Sequence, residues 1–125
     1  MEQKLLIVDD EAHIRALIQQ TLEELEDEGV NFFTAENGAE ALEIIQEEKP
    51  QMVFLDVMMP KMNGMEVCRK VKKELMLDDV FICLLTAKGQ ELDRQRGTEV
   101  GANLYMTKPF DPEALLNKAR EVLKL

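Results

Sequence analysis

Met52-Val53-Phe54-Leu55-Asp56 is a run of four apolar residues closed by a carboxylate. A short, unbroken apolar run of this kind suits a strand buried on both faces better than one with a wet side. Three more runs share the form: Leu5 to Val8 ended by Asp9-Asp10, Val80 to Leu85 ended by Thr86, and Leu104 to Met106 with Lys108 two residues beyond. A fifth candidate strand is Val30 to Ala35. Between the runs the apolar spacing turns helical. Ile14, Leu17, Ile18, Thr21, Leu22 and Leu25 draw one stripe along a helix starting near Glu11, and further helices are expected from near Gly38, Asn63, Lys88 and Asp111. Strand and helix therefore alternate five times, which predicts an α/β fold with a doubly wound parallel sheet and helices on both faces. Asn37-Gly38, Lys49-Pro50, Asn63-Gly64, Gly101 and Asp111-Pro112 punctuate the boundaries.

The 125 residues suit one compact domain, expected to span 1–125. A formal charge of -10 argues against direct nucleic-acid binding, because phosphate backbones are gripped by Lys and Arg clusters. Most of the acid lies in stretches such as Glu23, Glu24, Glu26, Asp27, Glu28 and Glu47, Glu48, which read as solvated helix faces. The longest apolar run, Val80 to Leu85, is too short to cross a membrane, and Met1-Glu2-Gln3-Lys4 opens no signal peptide, so a cytoplasmic protein is expected. Cys68 and Cys83, without CxxC spacing or a nearby His, read as reduced, buried thiols. The helix predicted from Lys88 to Val100 has few apolar positions and carries Gly97, which costs roughly 1 kcal/mol against Ala. A marginal surface helix and a movable element explain it equally well.

In a doubly wound sheet, ligands bind beyond the carboxyl ends of the strands. Asp9 and Asp10 after the first strand, Asp56 after the third, Thr86 after the fourth and Lys108 after the fifth would converge on that rim. Asp10 alone could be a helix cap, but five such residues together point to a site. Each close pair of carboxylates costs on the order of 4 kcal/mol at 4 Å and an effective dielectric of 20, so a cation is required. Oxygen donors with no His or Cys favour a hard ion, and few protein ligands suit magnesium better than calcium. Carboxylate, magnesium, lysine and hydroxyl together are what phosphoryl transfer needs, with Asp56 as nucleophile.

The motifs carry a more specific resemblance. Asp56-Val57-Met58-Met59-Pro60-Lys61-Met62-Asn63-Gly64, with Asp9-Asp10 before it and Leu85-Thr86-Ala87 and Tyr105-Met106-Thr107-Lys108-Pro109-Phe110 after it, resembles the receiver domains of bacterial two-component response regulators. The resemblance spans essentially the whole chain. It implies a flavodoxin-like sheet of five strands in the order 2-1-3-4-5 with five helices. It also implies Mg2+ held by Asp10, Asp56 and the Met58 backbone carbonyl, with Asp9 acting through water. Asp56 would be the phosphoacceptor, charged from the phosphohistidine of a sensor histidine kinase or phosphotransfer protein. Lys108 would contact the phosphoryl oxygens, the Lys108-Pro109 bond would be cis, and Gly64 would relieve backbone strain in the loop after the nucleophile.

The resemblance further implies a switch in which the Thr86 hydroxyl moves onto the phosphoryl group and Tyr105 turns inward. The surface of the fourth helix (Lys88 to Val100), fifth strand and fifth helix would then change and control a downstream effector or a fused output domain. Without the other motifs, Tyr105 would read as an ordinary half-buried aromatic. Met58 and Lys88, two residues beyond Asp56 and Thr86, are candidates for tuning dephosphorylation. Met58, Met59, Met62 and Met65 otherwise read as core and loop packing, and His13 as an exposed polar residue. A monomer is expected before phosphorylation, with dimerisation afterwards left open, as is the choice between a stand-alone regulator and part of a longer one. Such a protein catalyses only its own phosphorylation and dephosphorylation, and is expected to be a switch rather than an enzyme.

Two other readings compete. A phosphatase of the haloacid dehalogenase type would need Asp-x-Asp after the first strand, where Asp9-Asp10-Glu11 stands instead. A phosphorylation-silent binding module would lack one of the acidic residues or the lysine, all of which are present. A nucleotide or flavin site is set aside because the glycines form neither GxGxxG nor a P-loop.

Overall fold

The computed structural model describes residues 2–87 and 98–125. Its strands are β1 (Lys4–Val8), β2 (Asn31–Ala35), β3 (Met52–Asp56), β4 (Phe81–Ala87) and β5 (Leu104–Lys108). They form one parallel sheet in the order β2-β1-β3-β4-β5. This is the doubly wound, flavodoxin-like topology, with strand order reversing between β1 and β3. Among the described residues the helices are α1 (Ala12–Thr21), α2 (Glu23–Asp27), α3 (Gly38–Glu48), α4 (Gly64–Arg69) running into a π-helical turn (Lys70–Glu74), and α5 (Pro112–Leu123). The helix predicted from Lys88 falls largely outside the described residues.

Because side chains alternate across a strand, each apolar run feeds two cores. Leu6, Val8, Val53, Leu55, Ile82 and Leu84 face α3 and α4, where they bury Ala41, Ile45, Val67 and Val71. Leu5, Ile7, Met52, Phe54, Cys83 and Leu85 face the other way, against Ile18, Leu22, Leu25, Leu115 and Ala119. Both cysteines are free and buried, and burial pushes the Cys68 and Cys83 thiols up to about 11 and about 12.

Local chemistry sets three of the helix starts. The side chains of Asn37, Asn63 and Asp111 accept hydrogen bonds from the backbone N–H groups of Glu40, Glu66 and Glu113 at 2.9, 3.0 and 3.0 Å, satisfying donors that a helix start leaves open. The single stripe expected from Ile14 to Leu25 needs correction. The helix breaks at Leu22, and Leu17 is 46% exposed. Leu22 and Leu25 are buried in the core beside Ile18, while Leu17, with Ile14, Pro109, Phe110 and Pro112, lines a small apolar hollow beside Lys108. Asp56 and Lys108 are the last residues of β3 and β5, and Thr86 lies within β4, rather than following these strands, because strand pairing continues to Asp56, Ala87 and Lys108.

Candidate phosphoacceptor site

Sheet register assembles the site. Val8 pairs with Leu55, so Asp9 follows β1 beside Asp56, and Asp56 pairs with Leu85, which places Thr86 one step beyond it on the next strand. Asp9, Asp56 and Thr86 are buried, whereas Asp10 is exposed. The carboxylates of Asp9, Asp10 and Asp56 each offer an oxygen, and these oxygens lie within 4.8 Å of one another. From β5, Lys108 Nζ donates to Asp9 Oδ2 at 2.7 Å and to Asp56 Oδ1 at 3.0 Å. The Lys108–Pro109 peptide is cis.

Asp10 is not a helix cap, since Glu11 occupies the N-cap of α1 and makes no side-chain cap bond. The local bond runs instead from the Glu11 N–H to Asp9 Oδ1 at 2.9 Å. Asp9 is thereby committed to Glu11 and Lys108, while the exposed Asp10 is open towards the rim. Sequence reasoning passed over Arg15, whose guanidinium donates to the Asp9 main-chain carbonyl at 2.8 Å. The only signal for it was a cation one turn into the helix that follows the acidic pair.

The loop after Asp56 is drawn back under it. The Val57 N–H bonds to the Leu85 carbonyl at 3.0 Å and the Gly64 N–H returns to the Val57 carbonyl at 2.9 Å. A Cβ at Gly64 would lie 2.3 Å from the Asp56 carbonyl oxygen, so glycine is required there by close approach rather than by an unusual backbone angle. Met58 is 64% exposed at the rim. Met59, Met62 and Met65 pack on the core. Lys88 lies outside the described residues. His13 is exposed and sits 3.2 Å from Glu11.

Thr86 and Tyr105 share a sheet face as diagonal neighbours, because Leu84 pairs with Tyr105 and Thr86 with Thr107. Tyr105 is half-buried against the core on the α3 and α4 side.

The electrostatics record the crowding of acid. Burial, followed by the Asp9 charge, pushes the Asp56 carboxyl up to about 6 although Lys108 opposes the shift. Burial alone would lower the Lys108 ammonium, but its hydrogen bonds to Asp9 and Asp56 and their charges outweigh burial and raise it. One lysine against three carboxylates leaves excess negative charge, and every side-chain donor in the cluster is oxygen. That donor set fits a hard divalent cation such as magnesium.

The chain matches the response regulator receiver domain family over residues 5–120. It is 46% identical over 98% of its length to "Probable transcriptional regulator ycf27" of Porphyra purpurea, covering 48% of that protein. It is 40% identical over 99% of its length to the alkaline phosphatase synthesis transcriptional regulatory protein PhoP of Bacillus subtilis, covering 50% of it. The chain thus spans about half the length of these curated relatives. Among solved structures, chemotaxis protein CheY4 of Vibrio cholerae superposes with a TM-score of 0.83 at 34% identity, covering 98% of this chain and 99% of that one. Fold and site define a rim-sited acidic centre on a doubly wound sheet, and the chain belongs to the receiver domains of response regulators.

Proposed function

We propose that this chain is a phosphorylation-activated signalling switch whose phosphoacceptor is Asp56. The observation that carries the reading is the placement of a nearly buried carboxylate 3.0 Å from Lys108 Nζ within an oxygen-only acidic cluster. The phosphoryl donor would be the phosphohistidine of a sensor histidine kinase or phosphotransfer protein. An Asp56 carboxylate oxygen attacks phosphorus as the phosphorus–nitrogen bond breaks.

Asp10, Asp56 and the Met58 carbonyl would hold Mg2+, with Asp9 supporting through water; the ion would neutralise charge on the transferring oxygens. The remaining work falls to the chain. A carboxyl held near 6 is mainly ionised at neutral pH and able to attack. Lys108, already within hydrogen-bonding distance of Asp56, would donate to the phosphoryl oxygens. The Asp9 carboxylate holds that ammonium in place at 2.7 Å.

The Thr86 hydroxyl and Tyr105, diagonal neighbours on one face, are proposed to carry the change from the site to β5, α5 and the stretch 88–100. That rearranged surface would control a partner or an output domain, as the transcriptional relatives suggest. Phosphorylation shifts the balance of two states only by the difference in phosphoryl contacts between them. The chain would act on itself alone, in the cytoplasm, and reset by losing its phosphoryl group. No described helix is long and apolar enough to cross a membrane.

The test is intact mass after incubation with acetyl phosphate, with and without Mg2+, on the unmodified protein and on Asp56→Asn. One phosphoryl increment that needs both Mg2+ and Asp56 supports the reading. No increment on a folded, magnesium-bound protein refutes it in favour of a silent binding module.

A further inference from the structure

Two loops would supply the proposed metal ligands: β1–α1 with Asp10, and β3–α4 with the Met58 carbonyl. Neither is held by its own strand alone. The turn after β2, Glu36-Asn37-Gly38, touches the supports of both although it supplies no ligand.

On one side, the Asp9 N–H donates to the Ala35 carbonyl at 3.2 Å. Arg15 Nη1 donates to the Asp9 carbonyl at 2.8 Å, and Arg15 Nη2 lies 3.6 Å from Glu36 Oε1. The Arg15 side chain is only 17% exposed whereas that of Glu36 is 68% exposed, so the bond to the Asp9 carbonyl is the sheltered contact and the ion pair lies at the surface. The planar fork of Arg15 spans a carbonyl and a carboxylate together, which a lysine would not reproduce.

On the other side, Gly38 opens α3 against the β3–α4 loop. A Cβ there would stand 1.9 Å from the Met62 carbonyl oxygen and 2.8 Å from Met62 Cβ. No side chain fits without moving the backbone of one element or the other. The loop is closed at its base by the Gly64 to Val57 bond and tightened near its tip by the Met62 N–H on the Pro60 carbonyl at 2.8 Å. Met58 and Met62 thus lie in one short loop closed by these two bonds, and Gly38 stands directly against it.

We infer that the end of β2 and the turn after it position both ligand-bearing loops for magnesium: the Ala35 carbonyl and Arg15, turned towards Glu36, hold the main chain of Asp9, and Gly38 fixes the loop that presents the Met58 carbonyl. Arg15 and Gly38 are positioning residues, since neither touches the reacting groups. The inference rests on the phosphoacceptor reading above.

The experiment is calorimetric titration of Mg2+ into the metal-free protein, the unmodified chain beside Arg15→Met and Gly38→Ala, with urea unfolding of each as a measure of stability. Loss of outer supports to a metal site weakens affinity by about 10-fold or more, and that weakening is expected in each folded variant. An affinity within twofold of the unmodified protein overturns the inference even if the urea midpoint falls, because a purely structural role moves stability and not affinity. Should Gly38→Ala fail to fold, Arg15→Met decides by the same criterion. If the unmodified protein takes no Mg2+, the phosphoacceptor reading fails and this inference with it, an outcome distinct from normal binding by all three.

Discussion

Folding disfavours the ionised Asp56 carboxylate, the form that the proposed phosphoryl transfer needs. Its pKa is raised from 3.8 to about 6, so the folded metal-free protein holds this proton more tightly than the unfolded chain does. Stability then falls as pH rises through roughly 4 to 6 and keeps its full penalty above that window. A shift of about two units corresponds to an upper bound near 3 kcal/mol. Asp56→Asn is accordingly expected to stabilise the metal-free protein at pH 8 by on the order of 1–3 kcal/mol, with little gain at pH 4, while abolishing phosphoryl uptake. Urea unfolding at the two pH values reads the difference. Lys108→Met should act in the opposite sense. It removes the cation that meets both Asp9 and Asp56, and stranding a buried partner typically costs about 3 kcal/mol; urea unfolding at pH 7 measures it.

At the scale of elements, three helix starts are set by short local signals. Asn37, Asn63 and Asp111 announce α3, α4 and α5 in the sequence because their short side chains reach a backbone N–H two or three residues on. Asn63→Ala is expected to cost about 1 kcal/mol of unfolding free energy, measured by urea denaturation, because the Glu66 N–H loses its acceptor. The break at Leu22 was not legible: Glu23 and Glu24 are good helix formers, and Ile18, Leu22 and Leu25 stand at a spacing that an unbroken helix would bury equally well. The π-helical turn at Lys70–Glu74 was equally hidden. It buries Lys72, whose ammonium donates to the Val80 carbonyl at 2.5 Å just before β4, and desolvation lowers that group's pKa. A lysine in a charged stretch gives no sign of such burial.

At the scale of the molecule, a divalent cation that binds only the folded state stabilises it by mass action, about 2.7 kcal/mol at a hundred times its dissociation constant. Addition of Mg2+ should therefore raise the unfolding midpoint in a concentration-dependent way. Asp10→Asn should remove most of that increment and raise the metal-free midpoint slightly, since it takes one repelling charge away from Asp56. Thermal unfolding over a range of Mg2+ concentrations tests both halves. The two cores on either side of the sheet make the rim rigid, so charges placed there at the carboxyl ends of β1, β3 and β5 keep their spacing.

The sequence by itself determined the α/β alternation, the two-sided burial of the strands and the candidacy of Asp9, Asp10, Asp56, Thr86 and Lys108. Each rests on local pattern: apolar runs without alternation, turn residues at fixed offsets, polar residues at strand ends. Tertiary structure decided the contacts between parts distant along the chain. These include Lys108 reaching two carboxylates on other strands, Arg15 gripping a main-chain carbonyl, and Gly38 fitting against Met62. The reason is that a one-dimensional pattern records which face a residue takes, whereas register and close approach depend on how the neighbouring strands and helices pack.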